Sequence, residues 1–313
     1  MHIFLRLILH EKCCHCKIVR MVLPTQKLAE KEIKAAYPAF IMGILNVTGN
    51  SFWEGSNAVC RDVDMAVATA LKMIEDGADI IDIGGESTKP GSEYVSAEEE
   101  LSRVIPVLKK LRQKTDVPVS IDTRKAAVMK AALDEGADIL NDVSALEDDA
   151  GMAGLVAASK IPVVLMHKRG IPSDMQKNTA YDDITAEVAS YLAERAVYAW
   201  KAGIEADKII LDYGAGFGKD VQGNIDLVRH GGEIARAVQE RLNAEGAACK
   251  ALNVLAGLSR KSFIGHITGR DTADRLYGTI AADLFAVQHG ATIIRVHDVA
   301  AARDSLAVYR SVL

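Results

Sequence analysis

The sequence predicts an α/β fold, a single-domain (β/α)8 TIM barrel with a short N-terminal leader. Three observations indicate this fold: short apolar runs recur along the chain, a helical segment follows many of them, and nearly every run ends in a polar residue. Runs that are apolar at every position are typical of parallel strands, because helices cover both faces of such a sheet. Eight such units match a barrel. A doubly wound open sheet uses the same unit, and periodicity alone leaves it open.

The eight predicted strands are short and show no alternation of polar and apolar residues. They are Ile41–Val47, Asp79–Gly84, Val117–Asp122, Asp138–Asp142, Pro162–His167, Lys208–Asp212, Leu252–Ser259 and Thr292–His297. Four segments between them carry apolar residues at spacings of three and four, which predicts amphipathic helices. These helices are Met65–Glu75, Lys125–Glu135, Asp183–Lys201 and Gly278–Gln288.

Three junctions between a helix and the following strand have nearly the same sequence. They read Gly77-Ala78-Asp79-Ile80, Gly136-Ala137-Asp138-Ile139 and Gly290-Ala291-Thr292-Ile293. Glycine commonly takes the left-handed conformation that ends a helix. The repeat therefore indicates that helix and strand are joined in the same way at several places in the chain.

The composition is that of an ordinary globular protein and argues against several functional classes. Of 313 residues, 49% are hydrophobic, and 37 Lys and Arg stand against 42 Asp and Glu, which gives a net charge of −5. The sequence thus has enough apolar residues for a core and no basic run for nucleic acid. No apolar run is long enough to cross a bilayer. We expect a cytoplasmic protein that acts on small molecules, with neither nucleic acid nor membrane as a partner.

Residues 1–38 are predicted to be a weakly ordered leader, and residues 39–313 the barrel domain. The leader contains Cys13, Cys14 and Cys16 beside His15. This cluster resembles half of a zinc site, but the sequence offers no second Cys/His pair at a usable spacing. We therefore expect reduced thiols there and no zinc.

Polar residues close nearly every predicted strand. They are Asn46, Asp82, Asp122, Asn141 with Asp142, His167, Asp212, Ser259 and His297. A buried parallel strand has no structural need for a terminal carboxylate or amide, whereas barrel enzymes build their active sites at this end. Capping of the next helix explains single members of the set, but it is a poor explanation for the whole set.

Asp122, Asn141 and Asp212 predict a pocket for a flat heterocycle. Carboxylates accept paired N–H donors, and an amide both donates and accepts, which suits a purine-like or pterin-like ring. Burial of a carboxylate is costly unless such partners arrive. Because carboxylates at a barrel mouth also bind metals, a metal site is the alternative.

Cationic residues follow the last two predicted strands. Arg260 and Lys261 come after the seventh strand, and Arg295 and His297 close the eighth. The loops after these two strands are a frequent phosphate site in barrels, so a phosphorylated substrate is expected. The alternative is an exposed charged turn at residues 259–262.

Eight segments of the chain together resemble the dihydropteroate synthase family. They are MGILNVTGNSF from Met42, DIIDIGGESTKPG from Asp79, VSIDTRK from Val119, ILNDVSAL from Ile139, VVLMHKRGIPSDMQ from Val163, LDYGAGFGK from Leu211, LSRKSFIG from Leu258 and IIRVHD from Ile293. The resemblance implies a transferase of folate biosynthesis, usually a homodimer and a sulfonamide target. Such an enzyme joins 6-hydroxymethyl-7,8-dihydropterin pyrophosphate to 4-aminobenzoate and releases pyrophosphate, with Mg²⁺ as cofactor.

The resemblance also implies a role for each residue at a motif position. Asp122, Asn141, Asp212 and Lys261 are expected to hold the pterin, Arg295 and His297 the pyrophosphate, and Thr88, Lys89 and Ser259 the 4-aminobenzoate. Asn46 is the expected Mg²⁺ ligand. Asp122, Lys261 and Arg295 are the expected catalytic residues.

Five positions depart from the family pattern. Gly49 stands where proline is usual, Asn50 where an acid is usual, Lys89 where arginine is usual, Tyr213 where proline is usual and Lys168 where methionine is common. An ammonium group cannot reproduce the bidentate contact of a guanidinium. A pterin-binding paralogue with weakened activity is therefore one alternative. A folate-dependent methyltransferase, which shares the acid–amide–acid pocket, is another.

Overall fold

The computed structural model describes residues 24–28, 32–47, 63–87, 91–92, 94–170, 175 and 177–313. Eight parallel strands close into a barrel, which confirms the predicted fold and excludes the open sheet. The strands are β3 (Phe40–Asn46), β4 (Ile80–Gly84), β5 (Val119–Asp122), β6 (Ile139–Asp142), β7 (Val163–Met166), β8 (Ile209–Asp212), β9 (Asn253–Ala256) and β10 (Ile293–Val296). They pair in chain order, and β10 pairs with β3 to close the ring.

Helices surround the barrel and connect its strands. They are α1 (Val63–Asp76), α2 (Ala97–Arg112), α3 (Ala126–Asp134), α4 (Met152–Ser159), α5 (Ile184–Lys201), α6 (Val221–Ala244), α7 (Ser262–Thr268), α8 (Leu276–Gln288) and α9 (Val299–Val312). The four predicted helices are present as α1, α3, α5 and α8, with ends shifted by one or two residues. Within the described ranges, no helix combines the length and apolar character needed to span a bilayer.

The observed strands are shorter than most of the predicted ones. The clearest case is β9, which ends at Ala256, whereas the sequence predicted a strand to Ser259. Ser259 and its neighbours belong instead to the loop that carries Lys261 towards the barrel mouth. The sequence pattern overestimates such strands because buried loop residues at the mouth are as apolar as the strands themselves.

The repeated junctions share one tertiary hydrogen bond. Each junction glycine has a positive φ, of 108° at Gly77, 91° at Gly136 and 104° at Gly290. The side chain two positions later then accepts an N–H from the preceding barrel strand. The three bonds are Ile41 N–H to Asp79 Oδ2 at 2.8 Å, Val119 N–H to Asp138 Oδ2 at 2.9 Å and Val254 N–H to Thr292 Oγ1 at 2.9 Å. At each of the three junctions, this hydrogen bond therefore connects the start of one barrel strand to the preceding strand.

A hairpin closes the N-terminal end of the barrel. Strands β1 (Thr25–Lys27) and β2 (Glu32–Lys34) pair antiparallel. Leu28 and Ala35 are buried against an apolar layer formed by the barrel strands. These residues fall in the predicted leader, and their hairpin was not predicted. Residues 1–23, with the cysteine cluster, lie outside the described residues, and the domain boundary at residue 38 stays a prediction.

Candidate active site

The predicted polar residues converge at the C-terminal mouth of the barrel. Asp122 and Asn141 end neighbouring strands and are register partners. Asp212 ends β8, and Arg295 lies on β10. Parallel register places these strand ends at one rim, so acids from several strands and a cation from the last strand share one pocket.

Arg295 bridges two carboxylates inside this pocket. Its Nε donates to Asp82 Oδ2 at 2.6 Å, and its Nη2 donates to Asp122 Oδ2 at 2.8 Å. Asn141 Nδ2 donates to the same Asp82 oxygen at 3.2 Å. These charge-assisted bonds fix Asp122 and Asn141 relative to Arg295. Asp122, Asn141 and Arg295 thus form one connected network through Asp82.

Asp82 is a central member of this network. The sequence pattern placed it among the strand-end polar residues but assigned it no role in the pocket. Its side chain is fully buried, at 0% exposure, and joins Arg295 to Asn141. Its position at the end of a predicted strand was the available signal. A charged residue in a run of isoleucines is costly to bury without partners, and that cost could have identified it.

The pKa values of the pocket follow from burial. Burial raises the pKa of Asp122 to about 7, although the Arg295 guanidinium acts in the opposite direction. Burial also raises the pKa of Asp212. It lowers the pKa of Lys261 to about 8, and the nearby Asp212 charge partly offsets this effect. Removal from water therefore disfavours the charged forms of all three groups, and a ligand that offers hydrogen bonds relieves this cost.

Arg295 stays charged although it is buried. Burial lowers its pKa, but the charges of Asp82 and Asp122 outweigh burial and raise the pKa above its ordinary value. Two of its nitrogens already serve carboxylates. In this structure Arg295 therefore organises the predicted pterin side of the pocket, and its expected contact with pyrophosphate stays a prediction.

A glycine-rich loop follows β8 and contacts Lys261. Gly214 N–H donates to Asp212 Oδ1 at 2.7 Å, which orients that carboxylate. Nζ of Lys261 lies 4.4 Å from the centroid of the Phe217 ring. A Cβ added at Gly216 would lie 3.3 Å from Cδ of Lys261, so glycine leaves room for the lysine. The loop thus contacts two predicted pterin-binding residues: Gly214 orients Asp212, and Phe217 packs against Lys261.

Ser259 and His297 form a pair beside this region. Ser259 Oγ lies 2.9 Å from His297 Nδ1 and also accepts the backbone N–H of His297 at 3.2 Å. The serine thus contacts both the ring and the backbone of His297. Ser259 therefore orients the histidine that was expected to contact pyrophosphate.

Arg260 has a structural task that differs from the expectation. The sequence grouped it with Lys261 as a phosphate contact, but its Nε and Nη2 donate to the two oxygens of Asp298 at 2.9 Å and 2.7 Å. Asp298 and Arg260 thus form a bidentate ion pair. Nη1 of Arg260 donates to the carbonyls of Thr272 and Ala273. A bidentate pair of this kind fixes the loop after β9.

Asp142 illustrates the alternative of helix or turn capping. Its Oδ1 accepts from Ser144 N–H at 2.8 Å and from the Ser144 hydroxyl at 2.6 Å, and its Oδ2 accepts from Leu146 N–H at 2.8 Å. Asp142 therefore builds the turn after β6. It does not cap the next helix, α4, whose N-cap is Gly151, so the structural role of Asp142 is in the turn and not in helix capping.

Asn46 lies at the rim beside Asp122. A Cβ added at Gly84 would lie 3.5 Å from Asp122 Cβ and 3.6 Å from Asn46 Oδ1. The two side chains therefore flank the same glycine. Thr88, Lys89, Gly49 and Asn50 lie outside the described residues.

A small, partly open cleft lies next to the pocket. Phe217, which contacts Lys261, forms part of its wall, and Met175 and Tyr94 add apolar surface. Lys168 also lines it and lies 3.3 Å from Asp148. The cleft and the acid-lined pocket thus meet at Phe217. The full lining is Glu86, Ser87, Ser92, Tyr94, Arg124, Val143, Lys168, Gly170, Met175 and Phe217.

An ion-pair network forms the polar wall of the cleft. Glu86 accepts from Arg124 and from Lys125, and Arg124 also donates to Asp148. Burial raises the pKa of Glu86, but the bonds from these two cations and a backbone N–H outweigh burial and lower the pKa. The charges of the network balance one another, so this wall is polar without a strong excess of either sign.

Comparison with known proteins agrees with this site. The family model described as pterin binding enzyme matches residues 42–297. The dihydropteroate synthase of Neisseria meningitidis serogroup B is 43% identical over 275 residues, which cover 87% of this chain and 92% of that protein.

Solved structures agree in fold as well as in sequence. The Xanthomonas albilineans dihydropteroate synthase with 4-aminobenzoic acid has a TM-score of 0.80 and 42% identity, covering 93% of this chain and 98% of that one. The Yersinia pestis dihydropteroate synthase with a sulfonamide drug complex has a TM-score of 0.82 and 36% identity, covering 92% and 99%. The fold, the acid-lined pocket and these relatives together establish that the chain belongs to the dihydropteroate synthases.

Proposed function

We propose that the chain condenses 6-hydroxymethyl-7,8-dihydropterin pyrophosphate with 4-aminobenzoate to give 7,8-dihydropteroate and pyrophosphate. The observation that carries this proposal is the Arg295 bridge between Asp82 and Asp122, with Asn141 bonded to the same network. Such a network offers acceptors and a donor for a fused heterocycle within one buried pocket.

The pterin is proposed to lie between Asp122, Asn141 and Asp212, with Lys261 beside it. The ionised Asp122 carboxylate accepts N–H donors from the ring, which satisfies a group that is costly to bury alone. Lys261 adds a positive charge near the substrate. Because these side chains lie on strands or at the start of a helix, their positions are set by the barrel.

The reaction itself is a substitution at the exocyclic methylene carbon of the pterin. The bond from this carbon to the pyrophosphate oxygen breaks, and the electron pair leaves with pyrophosphate. The aromatic amine forms the new C–N bond and releases a proton. Preorganised cations stabilise the negative charge that develops on the leaving group, and Lys261 and His297 are proposed for this role. No covalent intermediate with the protein is required.

Mg²⁺ is proposed to accompany the pyrophosphate. Within the described ranges, no group of three or more His, Cys, Asp and Glu side chains is placed to hold a metal ion. The residues nonetheless fit Mg²⁺, which commonly uses one or two protein oxygens together with substrate phosphates and water. Asn46 at the rim would supply such an oxygen. When bound, the ion would neutralise charge on the leaving pyrophosphate.

The second substrate is proposed to enter through the cleft that meets the pocket at Phe217. Its apolar wall suits an aromatic ring, and Phe217 in that wall also contacts Lys261. Ser259, Thr88 and Lys89 keep their proposed place near 4-aminobenzoate. We expect sulfonamides, which resemble this substrate in shape, to compete for the same place.

A homodimer is proposed through α7 and α8. Tyr277 is 84% exposed and Ile267 is 59% exposed, and Phe285 adds further apolar surface on α8. Contiguous exposed apolar side chains are typical of association surfaces. Analytical ultracentrifugation of the wild type and of Tyr277→Glu tests this proposal: a dimer that the substitution converts to monomer supports it, and a monomeric wild type contradicts it.

A cytoplasmic location is also proposed, which imaging of a fluorescent fusion would check.

A weakened pterin-binding paralogue is the second candidate, because Gly49, Asn50 and Lys89 depart from the family pattern. Pterin binding without turnover would favour it. Lys89→Arg tests this alternative, since a guanidinium can make the bidentate contact that an ammonium group cannot. An increase in turnover in this variant would show that Lys89 weakens the activity. A methyltransferase predicts tighter binding of methyltetrahydrofolate than of pterin pyrophosphate, and calorimetry with both ligands separates the two activities.

A further inference from the structure

Lys219 ends the glycine-rich loop and is almost fully buried, at 3% exposure. Its Nζ donates to the carbonyl oxygens of Gly214 at 2.8 Å and Phe217 at 2.9 Å. The same nitrogen lies 3.0 Å from His167 Nδ1 and 3.3 Å from the His167 carbonyl oxygen. The ammonium group of Lys219, with its three N–H donors, thus lies within hydrogen-bond distance of four acceptors that surround it.

These acceptors belong to two different loops at the barrel mouth. His167 follows β7, whereas Gly214 and Phe217 follow β8. The loops touch backbone to backbone, because a Cβ at Gly214 would overlap the carbonyl oxygen of His167. A Cβ at Gly218 would come within 2.6 Å of the carbonyl oxygen of Arg169. The carbonyl oxygens of His167, Gly214 and Phe217 all point at the Lys219 Nζ, which therefore bonds to both loops at once.

The loop held by Lys219 carries groups of the site. Gly214 N–H orients Asp212, and Phe217 packs against Lys261 and also forms part of the cleft wall. Lys219 donates a hydrogen bond to the backbone carbonyl of Phe217. By fixing this backbone, the bond also fixes the position of the Phe217 ring. Lys219 itself lies behind this loop and lines neither the cleft nor the network around Asp122.

Lys219 is an unusual buried ammonium group because its hydrogen-bond partners carry no charge. The hydrogen-bond partners that the described residues give its Nζ are three carbonyls and one imidazole nitrogen, all without negative charge. Burial lowers the pKa of Lys219 to about 7, with the Asp212 charge acting in the opposite direction. A buried ammonium with neutral partners costs folding free energy. An apolar residue would leave the carbonyls of His167, Gly214 and Phe217 without this donor, so Lys219 holds the two loops in one arrangement.

We propose that Lys219 is a positioning residue that fixes the Phe217 face of the active site by joining the loops after β7 and β8. The inference rests on the proposed function, in which the aromatic amine approaches the pterin past Phe217. It predicts that loss of the Lys219 ammonium weakens productive binding of 4-aminobenzoate much more than binding of the pterin. The pterin is held mainly by β4, β5, β6 and β8, which are strands of the barrel.

Lys219→Met keeps the length of the side chain and removes its donors. We expect KM for 4-aminobenzoate to rise about tenfold, because small misplacements of groups at a reacting centre cost this much or more. The Kd of pterin pyrophosphate, measured by calorimetry, should change less than about threefold. Lys219→Gln keeps amide donors on a shorter side chain, and it replaces Lys219→Met if the latter does not fold.

Lys208→Met is the matched control. Lys208 is also buried and donates to a backbone carbonyl, that of Lys160 at 2.6 Å, but it lies at the opposite end of β8. Its substitution should lower thermal stability and leave KM and Kd unchanged. A similar KM increase in Lys208→Met would overturn the proposal, since the effect would then be general destabilisation.

A double-mutant cycle with Phe217→Leu tests whether Lys219 acts through the ring. If it does, Lys219→Met adds no further increase in KM once the ring is absent. Additive effects, or a wild-type KM in Lys219→Met, would overturn the proposal. Turnover by the wild type under the same conditions tests the proposed function separately.

Hydrogen exchange supplies a result that needs no turnover. Lys219→Met should increase exchange at residues 213–219 and near residue 167 more than Lys208→Met does. Unchanged exchange in both loops would overturn the inference whether or not the wild type is active.

Discussion

Nη2 of Arg295 donates a 2.8 Å hydrogen bond to Oδ2 of Asp122. This bond spans the barrel mouth from the last strand to the third strand of the ring. It brings the expected pterin ligand and a cation expected to contact the leaving group within the reach of one small molecule. The two groups are therefore coupled, and substitutions at either end should affect binding and chemistry together.

Asp122→Asn should weaken binding of pterin pyrophosphate strongly. The amide presents a donor where the ring needs an acceptor, and Arg295 loses one of its two charged partners. We expect a loss of about 2 to 3 kcal/mol, or about 30- to 150-fold in Kd, by calorimetry. Asp304→Asn, at an exposed position on α9, is the control. Wild-type affinity in Asp122→Asn would remove this residue from the site.

Pterin affinity should depend on pH through Asp122. Burial raises the pKa of this carboxyl to about 7, so the free pocket binds a proton there as the pH falls below 7. The protonated carboxyl accepts fewer N–H bonds, and Kd should therefore increase towards lower pH and level off above pH 7. Asp122→Asn should abolish the dependence. A flat profile in the wild type would show that protonation of Asp122 does not affect binding.

Asp82→Asn tests the residue that joins Arg295 to Asn141. An amide at this position cannot provide the charge that holds the Arg295 guanidinium. We expect kcat/KM to fall about 10- to 100-fold, because hydrogen bonds to charged groups contribute about 1.5 to 3 kcal/mol. Steady-state kinetics should show this loss while circular dichroism stays unchanged. Unchanged kinetics would mean that Asp122 alone positions Arg295.

The fold could be predicted from the sequence because its signals are local. Apolar runs, helical spacing and junction glycines each report on a few consecutive residues, and together they specify eight βα units. The β1–β2 hairpin was not predicted because its strands are three residues long and its partner surface is the inside of the barrel. Short strands of this kind are defined by tertiary contacts rather than by pattern.

The site could be predicted only in part. Strand-end residues such as Asp122 and Asn141 were found because their polarity contradicts their buried context. Arg260 was misjudged and Lys219 was overlooked, since their roles depend on partners elsewhere in the chain, Asp298 and His167 respectively. The sequence shows that a charged residue is present, but the role of that residue depends on which side chains and carbonyls contact it in the folded protein.

Asp283→Asn should stabilise the protein. Asp283 is buried on α8, and its Oδ1 has no hydrogen-bond partner among the described residues. Burial raises its pKa well above the ordinary value, so the folded state keeps the proton while the unfolded state loses it above pH 4 or so. Stability therefore falls as pH rises through this window. Denaturation at pH 7 should show an increase of about 1 kcal/mol or more in Asp283→Asn, whereas a decrease would reveal a partner for the carboxylate.

The repeated junctions make a graded stability prediction. Thr292→Val removes one acceptor for Val254 N–H and should cost about 1 kcal/mol. Asp138→Ala removes the acceptor for Val119 N–H and also the ion pair with Arg112, so it should cost about 2 to 3 kcal/mol. Urea unfolding of the two variants gives the comparison. Equal costs would show that the Arg112 pair contributes nothing.

The central claim is that this barrel mouth joins a pterin to an aromatic amine. The most direct measurement follows pyrophosphate release and dihydropteroate formation by purified protein with 6-hydroxymethyl-7,8-dihydropterin pyrophosphate, 4-aminobenzoate and Mg²⁺. We predict equal amounts of both products, with formation that is lost in Asp122→Asn. Absence of both products, under conditions where calorimetry shows the pterin to be bound, would contradict the account.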